Sequence, residues 1–277
     1  MKKKTDYFKD FIFNNNIFIC PLCKENLEFF EQAFRCKNNH TFDLSSKGTV
    51  NLIKTKNYKS SELYNKDLFL NRRSFILSNF YNDIYQKICD IIPKSENAYV
   101  MLDVGCGEAS HSINILNKMR SPYLYYGFDY SSDAINMASD FLSDNRIFFK
   151  ASVDNIPIKS NSVDIILDFL SPFNEKEFKR VLKNNGVIIK ISPGKEYLKE
   201  LRKELALNEY SKEEEVFLNI KNKFDIVKKD KYINEFKLSK EQLNYLVKMT
   251  PIKYGGEINL INRITIDMNI YVLKVKS

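Results

Sequence analysis

The stretch Tyr99-Val-Met-Leu-Asp-Val-Gly-Cys-Gly-Glu108 constrains this chain more than any other. Five of its first six residues suit a buried strand, Asp103 nearly closes the apolar run, and Gly105 and Gly107 follow at once. From Ala109 to Met119 the spacing turns helical, with Ile113, Leu116 and Met119 on one stripe. An open α/β sheet builds a nucleotide-type site in this way, at the carboxyl end of the strand. The glycines let backbone N–H groups approach a ligand where a Cβ would stand in the way.

A second strand extends the unit. Tyr123-Leu-Tyr-Tyr-Gly-Phe128 ends in Asp129, 24 residues after Gly105, where a carboxylate can accept hydrogen bonds from two ribose hydroxyls. The pattern is no dinucleotide fingerprint, because Ser110 stands where a third glycine would be needed. There is no Gly-Lys-Ser/Thr either, so it is no phosphate loop. Further strands are expected at Arg146 to Lys150, Val163 to Phe169 and Val187 to Ile191, alternating with helices from Ser131 to Leu142, from Phe178 to Leu182 and from Lys195 to Leu207. That alternation predicts an α/β fold with a doubly wound, mostly parallel, Rossmann-like sheet. Residues 208–260 read as charged and mixed, with a helix near Lys240 to Lys248. The alternating run Ile264-Thr-Ile-Asp-Met-Asn-Ile-Tyr-Val272 suits an edge strand with one wetter face.

Ahead of the sheet lies Cys20-Pro-Leu-Cys23, followed by Cys36 and His40 in the spacing C-x2-C-x12-C-x3-H. Two close pairs, each presenting both ligands from one tight turn, are what a tetrahedral Zn2+ needs. Leu27, Phe29, Phe30 and Phe34 between them supply a thin core for a small β-ribbon, so the metal is expected as its staple. A redox pair at Cys20 and Cys23 is the functional rival, but no thioredoxin-like unit surrounds it. Gly48 reads as a turn and Thr49 to Ile53 as a strand returning to the module. The first 16 residues show no clear element. Residues 54–66 read as a basic loop, and a helix is expected from about Lys66 to Ile92, with Leu70, Phe75, Ile76, Phe80, Ile84 and Ile88 on its buried face and Pro93 as its breaker. Of the adjacent Arg72 and Arg73, at least one should face outward. The organisation expected is a zinc-binding, RNA-recognising module at 1–58, a helical linker at 59–98 and a catalytic domain at 99–277.

Composition bounds the rest. A net charge of +8 is compatible with a nucleic-acid partner, and Lys37, Lys47, Lys54, Lys56 and Lys59 cluster in and just after the zinc module. No apolar run is long enough to span a membrane, the N-terminus does not read as a signal peptide, and disulfides are not expected of the five cysteines in a cytosolic protein. Cys106 reads as a small turn residue and Cys89 as helix core.

Asp103-Val-Gly-Cys-Gly-Glu108 with Asp129 beyond it resembles the S-adenosylmethionine site of class I methyltransferases. The whole chain resembles the 23S ribosomal RNA (guanine-N1)-methyltransferases. The residues that carry this are Cys20-Pro-Leu-Cys23, Cys36 and His40, Phe42-Asp43, Gly48-x-Val-Asn-Leu52, Arg72-Arg-x-Phe75, Tyr81, the glycine block, Pro193-Gly194 and Met249-Thr-Pro251. The resemblance implies methyl transfer from S-adenosylmethionine to N1 of a guanine in a 23S ribosomal RNA hairpin, a structural Zn2+ on Cys20, Cys23, Cys36 and His40, and a cytoplasmic location. It implies cofactor contacts at Tyr81, Asp103, Gly105, Gly107, His111, Ser112 and Asp129, at Val153 in the loop where such enzymes hold adenine, and at Tyr197, where the family often has His. A homodimer is left open. For removal of the N1 proton the candidate is Asp168, on a strand end, and Phe173 in Ser171-Pro-Phe173 is the candidate for stacking on a flipped base. Two rivals remain: a small-molecule methyltransferase acting on a quinone or lipid precursor, and a zinc-bearing RNA-binding protein with a decayed methyltransferase domain.

Overall fold

A computed structural model describes residues 2–53, 64–205, 212–250 and 261–276. Lys54, Lys56, Lys59 and Pro251 lie outside these described residues. In chain order the elements are α1 (Lys4–Asn15), β1 (Glu28–Phe30), β2 (Ala33–Arg35), β3 (Thr41–Asp43), β4 (Val50–Asn51), α2 (Lys66–Ile76), α3 (Asn82–Ile91), β5 (Tyr99–Val104), α4 (Ser110–Leu116) and β6 (Tyr123–Asp129). They continue as α5 (Ser132–Ala138), β7 (Arg146–Lys150), β8 (Val163–Phe169), α6 (Glu175–Val181), β9 (Leu182–Pro193), α7 (Lys199–Glu204), α8 (Glu213–Lys223), β10 (Phe224–Lys237), α9 (Lys240–Met249) and β11 (Arg263–Val275).

The large sheet has the strand order β10-β11-β9-β8-β5-β6-β7-β4, and β4 through β9 run parallel within it. The chain steps from β5 outward through β6 to β7, then returns to place β8 on the other side of β5. That reversal opens a crevice beyond the carboxyl ends of β5 and β8, the usual ligand position in a doubly wound sheet. The α/β fold is therefore the one the sequence implies.

Four local expectations give way. Residues 4–15 form α1, whose Phe8, Phe11 and Ile12 share one face and are buried. The segment before the sheet is two helices. Leu77 caps α2 and Asn79 takes a left-handed φ of 63°, which turns the chain before α3 begins. In α2, Leu70 is exposed, and Leu68 and Phe69 are buried instead.

The third correction concerns Thr49 to Ile53. Its strand β4 does not return to the three-stranded antiparallel zinc sheet β1-β2-β3. It pairs in parallel with β7, placing Val50 against Phe149 and Asn51 against Lys150, and becomes one margin of the large sheet.

The fourth is the C-terminal strand. β11 is an inner strand, antiparallel to both β9 and β10, and β10 forms the margin. The polar residues of β11 face helices and turns that supply partners. Thr265 donates to Glu200 through its N–H and hydroxyl at 2.9 and 2.6 Å, the Glu196 N–H donates to Asp267 at 2.9 Å, and the Asn269 amide donates to Glu213 at 2.9 Å. These bonds offset much of the cost of burying that face, which is why alternation here does not mean exposure to water.

The zinc region and the sheet share one aromatic core. Phe18 is fully buried, with its ring centroid 5.2 Å from Phe34 in β2 and 4.9 Å from Phe149 in β7. Phe8 of α1 reaches Phe29 and Phe34, both at 6.1 Å, while Phe11 meets Tyr126 at 4.9 Å. Backbone bonds from the Ile19 N–H to the Pro157 carbonyl (3.0 Å) and from the Lys159 N–H to the Ile17 carbonyl (2.9 Å) stitch the same seam. Among the described residues no helix is long and apolar enough to cross a membrane. Truncating Phe18 removes a ring held from both sides. Phe18→Ala should therefore cost about 3–5 kcal/mol of unfolding free energy, measured by urea denaturation with zinc in excess.

Candidate functional site: a Cys3His cluster and a cavity at the sheet reversal

Cys20, Cys23, Cys36 and His40 come together, with one ligand atom from each within 4.8 Å of all the others. The Cys20 Sγ and Cys36 Sγ each lie 3.5 Å from His40 Nδ1, and the Cys23 and Cys36 sulfurs are 3.6 Å apart. Zn–S bonds of about 2.3 Å in a tetrahedron require sulfurs roughly 3.7 Å apart, so the donor set fits the ion in kind and in span. Two tight turns make the cluster. The Lys24 N–H reaches the Cys20 carbonyl at 2.8 Å, the Asn39 N–H reaches the Cys36 carbonyl at 2.9 Å, and Lys24 and Asn39 take left-handed φ values of 66° and 61°. A hydrogen bond from the Glu25 N–H helps pull the Cys23 thiol down to about 6, while burial pushes Cys20 up to about 11.

At the sheet reversal, Gly105 and Gly107 adopt φ of +68° and +58°. A Cβ on Gly105 would stand 2.7 Å from the Ser171 Cβ, so the absent side chain makes room first for the protein's own β8 turn. Asp129, at the end of β6, fixes the glycine turn by accepting from the Gly107 N–H at 3.0 Å and the Ser131 N–H at 2.7 Å. Asp103 accepts from the Ser112 and Tyr125 hydroxyls, and burial lifts its carboxyl to about 7.

These residues bound a cavity of about 590 Å³. Of the cofactor positions expected from the sequence, Tyr81, Asp103, Gly105, Gly107, His111, Ser112 and Tyr197 line it, whereas Asp129 and Val153 do not. The Tyr81 and Tyr197 hydroxyls meet at 3.1 Å. The ring of His111 stacks on Phe169 with centroids 4.2 Å apart, and its Nδ1 lies 2.7 Å from the Tyr85 hydroxyl. Burial drives the His111 pKa down to about 3, so the imidazole is neutral.

Asp168 is fully buried and does not line the cavity. It accepts from the Ser171 hydroxyl at 2.6 Å and from Lys190 at 2.8 Å. Phe173 also lies off the cavity lining, where its ring packs edge-on against Phe178 (4.9 Å) and Phe224 (5.5 Å). Cys106 lines the cavity within the turn, and Cys89 is a helix-core thiol donating to the Ile115 carbonyl at 3.3 Å.

Both adjacent arginines turn inward, against expectation. Arg72 lines the cavity, and Arg73 reaches Glu108 at 3.1 Å and Asp140 at 3.3 Å. Burial lifts the Glu108 carboxyl, and a hydrogen bond from Ser110 and the Arg73 guanidinium oppose that shift. Sequence reasoning missed Lys190 and Ser192 in the cavity wall. The available signal was a lone charge in the apolar strand Val187-Ile-Ile-Lys-Ile191.

Comparison with known proteins bears on this arrangement as a whole. A methyltransferase-domain family model matches residues 95–248, and a zinc-ribbon model described as "RlmA, N-terminal" matches residues 18–61. A Bacillus subtilis protein provisionally named 23S rRNA (guanine-N(1)-)-methyltransferase YxjB is 31% identical, over 98% of this chain and 99% of its own. The chain belongs to the 23S rRNA (guanine-N1)-methyltransferase family. Another relative, the 23S rRNA (guanine(748)-N(1))-methyltransferase of Streptomyces fradiae, is 23% identical over 84% of each chain. Among solved structures, a chain of the complex between the Haloferax volcanii Trm112 methyltransferase activator and a methyltransferase matches with a TM-score of 0.50 at 11% identity. That match covers 79% of this chain and 100% of the other, and it speaks to the fold alone.

Membership in this family goes with the two cofactors for which the site has donors. They are S-adenosylmethionine, which goes with the methyltransferase domain, and a structural Zn2+ at the Cys3His cluster. Elemental analysis should find about one Zn2+ per chain. Cys36→Ser should lose the metal and open residues 17–53 to protease, because metal binding here is also folding energy. At the glycine turn, Gly105→Ala should lower stability by at least about 1 kcal/mol in a denaturant titration, since the residue combines a positive φ with a 2.7 Å clash. Calorimetry on the same variant should show weakened S-adenosylmethionine binding.

Proposed function

We propose that this protein transfers a methyl group from S-adenosylmethionine to N1 of a guanine in a 23S ribosomal RNA hairpin. The observation that carries the reading is the end-to-end match to the Bacillus subtilis relative, which spans the zinc cluster and the cavity together. A small-molecule methyltransferase leaves the zinc ribbon without a task, and a decayed domain leaves the intact glycine turn and its Asp129 clasp without one.

When bound, the cofactor supplies an electrophilic methyl on a sulfonium, and transfer is an in-line displacement that depends on positioning. The proposed cofactor residues are Tyr81, Asp103, Gly105, Gly107, His111, Ser112, Asp129, Val153 and Tyr197. Asp129 already orders the turn through two backbone N–H groups, and its remaining lone pairs are the acceptors for ribose hydroxyls. Neutral His111 is a wall and hydrogen-bonding group that adds no positive charge beside a sulfonium. The paired hydroxyls of Tyr81 and Tyr197 make a polar rim, so Tyr197 serves where relatives often place a histidine.

The proposed division of labour gives RNA recognition to residues 1–58 and chemistry to residues 99–277, in the cytoplasm where ribosomal RNA is found. Residues 59–98 do more than link, because Arg72 and Tyr81 stand in the cavity wall. Of the basic residues proposed to hold phosphate, Lys37 is exposed and pairs with Glu25 at 2.9 Å, and Lys47 is exposed. The test is incubation with labelled cofactor and protein-free 23S ribosomal RNA, followed by mapping of the modified base. N1-methylguanine in a hairpin is the expected product, and label in a small-molecule extract with none in RNA would redirect the reading. In the same preparation, Asp129→Ala should weaken S-adenosylmethionine binding by roughly 1.5–3 kcal/mol, read by calorimetry.

A further inference from the structure

We propose that Lys190 is a catalytic residue, whose ammonium binds the exocyclic oxygen of the target guanine and stabilises the negative charge placed there when N1 loses its proton. The inference rests on the guanine-N1 reading above.

Lys190 lies in β9 and is only 6% exposed, yet it lines the cavity beside Ser171, Ser192 and Pro193. Its Nζ donates to Asp168 Oδ1 at 2.8 Å and to the Ser171 carbonyl at 2.9 Å. Those acceptors use two of the three N–H donors of an ammonium and hold it at the cavity end of β8 and β9, 5.9 Å from the centre of the Phe173 ring. A buried ion pair adds little stability over apolar residues of the same size, and here β8 and β9 are already joined by their ladder. The cation therefore calls for a use other than holding strands together. One further polar atom beside it supports one. The buried Ser192 hydroxyl, in the cavity wall, has no hydrogen-bond partner among the described residues. Such under-satisfied walls are expected where a ligand completes the set.

The chemistry fits a cation at this point. The N1–H proton passes to water in the cavity, leaving an anion shared between N1 and the exocyclic oxygen. The N1 electron pair then forms the N–CH3 bond while the C–S pair returns to sulfur, giving a neutral thioether and N1-methylguanine. A fixed ammonium on the oxygen favours the anion and so raises the fraction of base ready to react. Among the described residues, the other charged and titratable groups about Lys190 are Asp168 from β8 and Asp103 from β5, Arg72 and Arg202 from α2 and α7, and Tyr271 and Lys229 in the same row of β11 and β10.

The test compares the parent with Lys190→Met for S-adenosylmethionine affinity and for the pH dependence of single-turnover N1 methylation of 23S ribosomal RNA. The variant should bind cofactor within about two-fold of the parent but react roughly 100-fold more slowly near neutral pH. Its rate should continue to climb with pH where the parent is flat, because without the cation N1 ionises only at higher pH. A merely structural Lys190 would not move the profile in this way. If Lys190→Met also loses cofactor affinity, the double variant Lys190→Gln with Asp168→Asn keeps the shape with neutral amides and is judged by the same profile. Parental rate and profile in the variant that binds cofactor overturn the proposal while leaving the functional reading intact. A parent that makes no N1-methylguanine overturns both.

Discussion

The contact on which the cavity depends is the approach of the β5 turn to the β8 turn at Gly105. With any side chain there, a Cβ would fall 2.7 Å from the Ser171 Cβ and the turns would have to part. Their closeness matters because Ser171 is itself a hub. Its hydroxyl donates to Asp168 at 2.6 Å and its carbonyl accepts from Lys190 at 2.9 Å, so β5, β8 and β9 are fixed to one another at the end where a ligand would lie. Asp129 performs the matching task on the other side by clasping the Gly107 N–H, which ties β6 to the same turn.

A second constraint sets the roof. Arg73 spans Glu108 just after the glycine turn, Asp140 beyond α5 and the Met137 carbonyl at 3.0 Å, which locks α2 over the amino end of α4 and the carboxyl end of α5. Once α2 is fixed, Arg72 lines the cavity, and Tyr81 after the helix brings its hydroxyl to Tyr197. α9 packs along α2, which brings Met249 and Thr250 to the same wall. The cavity is thus assembled from parts of the chain far apart in sequence, most of them held by a polar contact to a turn or a helix and α9 by its packing on α2.

Much of this was legible in the sequence, and the failures share a cause. The strand–glycine–helix unit and the Cys/His spacing are local patterns that the chain adopts, while Asp129 ends its strand as read and there clasps the Gly107 N–H. The patterns that misled were those whose partner lies elsewhere. Thr265, Asp267 and Asn269 looked like the wet face of an edge strand because nothing local announces that Glu200, the Glu196 N–H and Glu213 will cover them. Phe173 looked available for a base, but Phe178 and Phe224 occupy its ring. Phe8, Phe11 and Ile12 carry helical spacing in a lead-in too charged to stand out, and their value appears only against Phe34 and Tyr126. Lys190 was hidden for the opposite reason: a single charge in an apolar strand reads as noise until Asp168 and the cavity are seen beside it.

The placement of the zinc ribbon gives the proposed substrate a physical logic. The ribbon joins the sheet at its β4 margin, whereas the cavity opens between β5 and β8, with β6 and β7 in between. At about 4.8 Å per strand, those three steps separate the two by roughly 14 Å across the sheet. A folded RNA hairpin is long enough to span them, with one base drawn out of the loop toward the cavity. The shared core at Phe18 then acquires a purpose beyond stability. By tying Phe34 of the ribbon to Phe149 of β7, it holds that separation fixed, which under the proposed division of labour would present a gripped hairpin's base at one depth. A flexible tether between the two regions would keep the affinity for RNA and lose this positioning, on which an in-line displacement depends.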